Sequence, residues 1–187
     1  RARCALALGL CCSEQGCSLP ASLPSLREGG AGACGAPFRR MSARIDSAAA
    51  VLRPMTVVSL DGVVELENVV YPFPWTRGNF VDSLVAGYTA WTLNHVDGDL
   101  VGYCVAMSGV GEMHLLNITI APASRRRGHA RRIVGELVRL CRSRRDSRLW
   151  LEVRESNDDA RDVYRRLGFA AVGKRKGYYP APAGRRE

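Results

Sequence analysis

LWLEVRESNDDARDVYRRLGF, residues 149–169, changes character half-way along. Leu149, Leu151 and Val153 alternate with Trp150 and Glu152, the period of a strand with one buried face. Beyond it, Ala160, Val163, Tyr164 and Leu167 fall at helical spacing. Ser156 or Asn157 can cap that helix, and Asp158 and Asp159 suit its N-terminal dipole. Arg165 and Arg166 suit its other end, and Gly168 the left-handed residue that closes it. Two residues ask for a reason. Glu152 is a carboxylate near the C-terminal end of an apolar strand, where α/β sheets place their ligands. Tyr164 lies on the buried stripe of the helix. Packing alone accounts for both, as a half-exposed glutamate and a core tyrosine whose hydroxyl finds a partner.

The segment upstream predicts the longest helix of the chain. Ala130, Ile133, Val134, Leu137, Val138 and Cys141 form one apolar stripe, with Arg131, Arg132, Glu136, Arg139 and Arg142 off it. Before it come three strands, Tyr88–Val96, Leu100–Ser108 and Met113–Ile120, the first two joined at Asp97-Gly98-Asp99, a strong hairpin signal. Further upstream, Met55–Leu60 reads as a short strand, and Asp61 can cap a helix reaching about Val70. Two prolines hold Tyr71–Trp75 extended, and Thr76 can cap a second short helix. After the helix of 157–167, Phe169–Val172 reads as a final strand before a basic tail. Strands first, then alternating strands and helices, imply an α/β (α+β) fold: a mixed central sheet that opens with an antiparallel meander and carries helices on its faces.

Residues 1–54 are rich in Ala, Gly, Ser, Pro and Cys and hold no sustained period. They read as a disordered extension or as upstream sequence foreign to the natural chain, Met41 and Met55 both being plausible starts. Within them, Cys4–Cys12 behind Arg1 and Arg3 has the shape of a short export-signal core. Five of the seven cysteines lie in the first 34 residues; Cys104 and Cys141 sit in apolar patterns, which fits a reducing compartment. No cysteine or histidine spacing suggests a metal site. The formal net charge of +9 calls for an acidic partner without choosing one. The sequon at Asn117 falls within a predicted buried strand and reads as chance.

SRRRGHARR, residues 124–132, joins the third meander strand to the long helix. A helix start offers amide N–H groups and a partial positive charge to an anion, and Gly128 allows close approach to the backbone. Neither GxxxxGK[ST] nor GxGxxG is present, so nucleoside triphosphate and dinucleotide loops fit poorly. A compact diphosphate site and a solvated arginine cluster remain as readings. Arginines in a first helical turn oppose the dipole, which weakens the second.

Together these segments resemble a known family. HLLNITIAPASRRRGHARRIVGELV (114–138) is similar to the acetyl-coenzyme-A-binding segment of the GCN5-related N-acetyltransferases (GNAT), whose signature Gln/Arg-x-x-Gly-x-Gly/Ala is carried by Arg125, Gly128 and Ala130. LWLEVRESNDDARDVYRRLGF, with Phe73-Pro74-Trp75 and Gly177–Pro180, resembles the RimI-type subgroup, which acetylates the N-terminal alanine of a small-subunit ribosomal protein. The resemblance runs from about Val58 to the end and implies a GNAT domain over 55–187. It implies that Ile118, Thr119 and Ile120 pair with the pantetheine arm. Arg126, Arg127, Gly128, His129, Ala130 and Arg131 wrap the diphosphate, and Asn157 touches the cofactor. Glu152 is the general base and Tyr164 the general acid. It further implies acetyl-CoA as co-substrate with no metal, and a cytoplasmic monomer whose partner is that ribosomal protein, with no nucleic acid or membrane partner. His114 is a lesser alternative for acid or base. The family's chain continues past the position of Glu187 with one more apolar strand, so a missing final strand and an open sheet edge are expected. His129 stands where the subgroup often has an apolar residue. Rival readings are an acetyltransferase for another N-terminus, a lysine or a small amine, and a basic RNA-binding module. The arginines lack the interleaved aromatics that the latter would use.

Overall fold

A computed structural model describes residues 4–12 and 50–176. Seven strands form one sheet: β1 (Cys4–Cys11), β2 (Ala50–Pro54), β3 (Thr89–His95), β4 (Leu100–Ser108), β5 (Glu112–Ile120), β6 (Arg148–Arg154) and β7 (Ala170–Lys176). Their order across the sheet is β2-β3-β4-β5-β6-β1-β7. All neighbours are antiparallel except β5 and β6, which run parallel. Among the described residues the α-helices are α1 (Leu60–Val70), α2 (Arg77–Val85), α3 (His129–Arg144) and α4 (Asp158–Arg166).

The expected mixed sheet with helices on both faces is present, and β4 shows why. Cys104 and Ala106 pack in one core with Ile133, Val134, Leu137 and Val138 of α3 and Tyr164 of α4. Tyr103 and Val105 pack in the other with Leu60 and Val63 of α1 and Phe80 of α2. The strand is therefore apolar on both sides and reads as a continuous run rather than an alternation.

β5 changes faces part-way. Met113 and Leu115 pack under α3, and so do Ile118 and Ile120, which differ from them in parity. A bulge at Leu116 is responsible: Ala106 pairs with Leu115 but Val105 with Asn117. Beyond the bulge, Asn117 and Thr119 turn to the α1 side.

Two expectations change at the N-terminal end. Met55–Leu60 is not a strand; Val57–Ser59 makes a 3₁₀ turn into α1, and the strand lies earlier, at Ala50–Pro54, pairing with β3. Pro54 closes it, since a proline donates nothing to a ladder. Cys4–Cys11, expected to be without order, is a strand between β6 and β7, with Leu8 and Leu10 buried in the α3 core. β1 thus lies inside the sheet rather than outside the domain. Its partners are more than 130 positions away, a pairing that no local pattern signals. Gly9 fits there because a Cβ would lie 2.6 Å from the Trp150 ring. The expectations for 13–49 and the motif Gly177–Pro180 lie outside the described residues.

Candidate active site

β5 and β6 pair only from Glu112↔Arg148 to Leu115↔Leu151. Beyond Leu115 the two strands part, and a cleft opens between Ile118–Ile120 and the end of β6. The direction of the β5 backbone there follows from its contacts. Ala121 N–H donates to Val101 O at 2.8 Å, and Thr119 O lies against Gly102 on β4. Residues 117, 119 and 121 therefore turn their peptide groups to β4, and Ile118 and Ile120 turn theirs to the cleft. Two side chains reach that edge: the Tyr71 hydroxyl donates to Ile118 O at 3.2 Å, and Arg125 Nε donates to Ile120 O at 3.2 Å.

The chain leaves β5 through a 3₁₀ turn at Pro122–Ser124 and enters α3 at Gly128. Arg126 and Gly128 both have positive φ, 62° and 84°. Only glycine takes such a value without strain, and a Cβ at Gly128 would meet nothing within 4 Å, so the backbone there borders open space. The first intrahelical bond runs from Arg132 N–H to Gly128 O, leaving the amides of His129, Ala130 and Arg131 ahead of it. Among the described residues no side chain caps them, and no acidic residue lies in the first turn. Arg125, Arg126, Arg127 and Arg131 are all exposed around this turn. The residues fit an extended thioester carrier with a diphosphate: strand edge for the arm, amides and guanidinium groups for the phosphates.

His129 offers that turn its backbone, not its ring. The imidazole is 2% exposed, and neither nitrogen has a hydrogen-bond partner among the described residues. It lies edge-on to His95, ring centroids 6.3 Å apart. Burial holds its pKa below the ordinary value, with His95, Arg127 and Arg132 adding repulsion of the charged form. The position is apolar in character, with a histidine lodged in it.

Glu152 sits in β6 just past the last β5–β6 pair, half-buried, on the face it shares with Trp150; Leu149, Leu151 and Val153 fill the α3 core as their alternation predicts. Asn157 caps α4, its Oδ1 accepting from Ala160 N–H at 3.2 Å. Tyr164 is 8% exposed on α4 with its ring against Phe169 at 5.6 Å. His114 lies before the bulge, paired with Trp150 one step short of the end of the β5–β6 ladder, where Glu112 holds its Nε2 at 2.9 Å.

One group at this site was not singled out from the sequence. Glu67, on the inner face of α1, is 2% exposed. Its Oε1 accepts from the Trp75 N–H at 3.0 Å and from Asn117 Nδ2 at 3.1 Å, and its Oε2 from the Tyr103 hydroxyl. Thr119 Oγ1 stands 3.1 Å from both the Tyr103 and Tyr71 hydroxyls. Burial, and for Tyr103 the bond to Glu67, push both phenols up, so both remain protonated donors. The available signal was an acid on the stripe Leu60, Val63, Glu67.

Residues 60–169 match the model of the acetyltransferase (GNAT) family. The chain belongs to this family. As a GNAT protein it is an acetyl-CoA-dependent N-acetyltransferase. It is 32% identical over 135 residues, 71% of this chain and 92% of the relative, to the [ribosomal protein bS18]-alanine N-acetyltransferase of Haemophilus ducreyi. The crystal structure of the ribosomal-protein-S18-alanine N-acetyltransferase from Escherichia coli aligns with a TM-score of 0.67 at 28% identity, covering 73% of this chain and 88% of that one. The fold is shared as well with Arabidopsis thaliana Naa50, solved with the bisubstrate analogue CoA-Ac-MVNAL, at a TM-score of 0.63 and 17% identity over 73% of this chain and 94% of that one. Among the described residues no helix of this GNAT chain is long and apolar enough to cross a membrane.

Proposed function

We propose that this protein transfers the acetyl group of acetyl-CoA to the N-terminal alanine amine of the small-subunit ribosomal protein bS18, in the cytoplasm. The likeness to the Haemophilus ducreyi enzyme over nearly that enzyme's whole length carries the choice of acceptor. The cleft supports the chemistry. The peptide groups of Ile118 and Ile120 line one edge as partners for the pantetheine arm, with Thr119 between them. Arg126, Arg127, Gly128, Ala130 and Arg131, with the His129 amide, receive the diphosphate, and Asn157 lies at the start of α4 beside the same cleft end of β6.

An α-amine has a pKa of about 8, so at neutral pH most of it is protonated and has no lone pair to give. Glu152, directly or through a water, takes that proton. The neutral amine then attacks the thioester carbonyl, forming the C–N bond, and the negative charge on oxygen is met by a backbone N–H of the β5 edge. The intermediate collapses, the C–S bond breaks, and the Tyr164 hydroxyl gives its proton to the departing thiolate. Solvent then returns a proton to Tyr164 and removes the one held by Glu152. No covalent enzyme intermediate is formed, and much of the rate comes from holding two substrates in line.

The test is incubation of the full chain with acetyl-CoA and peptides that begin with alanine, serine, glycine or methionine, together with an N-terminally blocked peptide bearing lysine, read by intact mass. Acetylation of the alanine peptide well ahead of the others supports the reading. A preference for the lysine peptide moves the chain to another acceptor class within the family.

A further inference from the structure

Glu67 is a carboxylate in a place where packing asks for an apolar side chain. Its neighbours on the inner face of α1, Leu60 and Val63, are fully buried hydrophobics. A leucine at 67 would continue that stripe. A buried carboxylate is tolerated only when hydrogen bonds replace its water. Here the replacements come from three separate segments: the linker Tyr71–Trp75 through a backbone N–H, β4 through Tyr103, and β5 through Asn117.

Those donors converge where β5 leaves β6. Asn117 faces Glu67 only because the bulge at Leu116 exchanges the faces of the residues after it. Thr119, turned the same way, passes the network to the Tyr71 hydroxyl, and Tyr71 ends it on the cleft-facing carbonyl of Ile118. Carboxylate, bulge and linker thus form one unit whose far end is an edge of the cleft. The linker is stiffened by Pro72 and Pro74 and anchored at its end by Trp75, whose ring packs on Phe80 at 5.4 Å. Between the anchors, Phe73 is 42% exposed at its crest.

We propose that Glu67 is a positioning residue for the acceptor amine. It locks the Tyr71–Trp75 linker against β5, so that the linker forms a fixed wall of the cleft against which the first residue of the acceptor peptide seats. It takes no proton in the reaction; it acts through Trp75, whose backbone N–H it holds. This rests on the reading of the chain as an N-terminal acetyltransferase.

The test is Glu67→Gln in the full chain, which keeps the shape but removes the charge and one acceptor oxygen. The expected result is a rise of about tenfold in KM for the alanine-terminated peptide. Coenzyme A affinity should stay within about twofold, and hydrogen exchange at the Trp75 amide should quicken by about tenfold while the β4–β5 ladder stays protected. Tyr103→Phe, which deletes one donor and keeps the ring, is expected to raise the same KM about threefold, and it carries the test if Glu67→Gln does not fold. An unmoved acceptor KM in a folded variant, or a fall in coenzyme A affinity and unfolding midpoint in step with KM, overturns the inference and reduces Glu67 to a core group. A parent chain that acetylates no peptide amine overturns the functional reading and this inference with it.

Discussion

Replacing Gly102 by alanine tests the geometry of the cleft wall without touching any side chain in it. A Cβ at this position would lie 2.4 Å from Thr119 O and 2.7 Å from Ile120 Cδ1. The isoleucine can rotate, but the carbonyl is backbone in the centre of the sheet. An ordinary contact begins near 3.4 Å, so β4 and β5 must separate locally by about 1 Å. Forcing extra volume into a packed interior costs about 1–3 kcal/mol. For a domain of this size that is roughly 4–12 °C in unfolding midpoint. The displaced residue, Thr119, lies between the two residues whose peptide groups face the cleft. Coenzyme A affinity is therefore expected to fall by an order of magnitude, well beyond what the stability loss alone would cause in a chain still folded at 25 °C. Thermal unfolding followed by circular dichroism reads the first effect and titration calorimetry with coenzyme A the second. Gly135→Ala on α3 is the control: its Cβ would meet nothing within 4 Å, and removing a mid-helix glycine should stabilise by about 0.5–1 kcal/mol. A Gly102→Ala protein with the parent's midpoint and affinity would refute the close approach of β4 to β5 and the placement of the cofactor arm along it.

Tyr164→Phe should leave folding and coenzyme A affinity nearly unaltered while turnover falls by roughly 10²–10⁴, the usual worth of a placed general acid, and turnover within threefold of the parent would return this tyrosine to the core. Glu152→Gln should likewise spare cofactor binding, with its deficit in turnover largest at the acid end of pH 6–9, where the amine is most protonated; a flat, parental profile would mean another base. Because burial lowers the His129 pKa, the unfolded chain takes up this proton first, so stability is full above about 6.5 and declines as pH falls below it. His129→Leu should flatten that decline, and an unchanged slope of midpoint against pH between 7 and 5.5 would contradict the burial. Leu10→Ala, at a β1 side chain 3% exposed in the α3 core, should cost about 2–4 kcal/mol in urea unfolding, whereas no change would place Cys4–Cys11 outside the sheet.

Elements whose signals are local were legible in the sequence. The stripe of α3 from Ala130 to Cys141, the Thr76 cap of α2 and the Asp-Gly hairpin between β3 and β4 all appear within a residue or two of their expected places. The turn at Gly128 was legible because glycine and arginine stand together at a strand-to-helix junction. Features that depend on remote partners were not. The pairing of β1 with β6 joins residues far apart in the chain, and its apolar run could equally be a leader or a strand. The bulge at Leu116 leaves no mark in composition, yet it decides which of Asn117 and Ile118 meets α1 and which meets α3. Glu67 was hidden for the same reason: a lone acid on a helix stripe has meaning only once Trp75, Tyr103 and Asn117 are known to converge on it. That the ring of His129 lies beneath the turn was not legible, because only the fold shows that the first residue of α3 faces the core.

The most direct measurement is transfer to the proposed acceptor itself. The full chain is incubated with acetyl-CoA and a small-subunit protein bS18 whose N-terminal alanine is unmodified, and the product is mapped by tandem mass spectrometry. One acetyl group on the α-amine of that alanine, absent when acetyl-CoA is withheld and strongly reduced with Glu152→Gln, is the predicted result. An acetyl group found only on lysine side chains, or a bS18 that stays unmodified while another amine is acetylated, would contradict it.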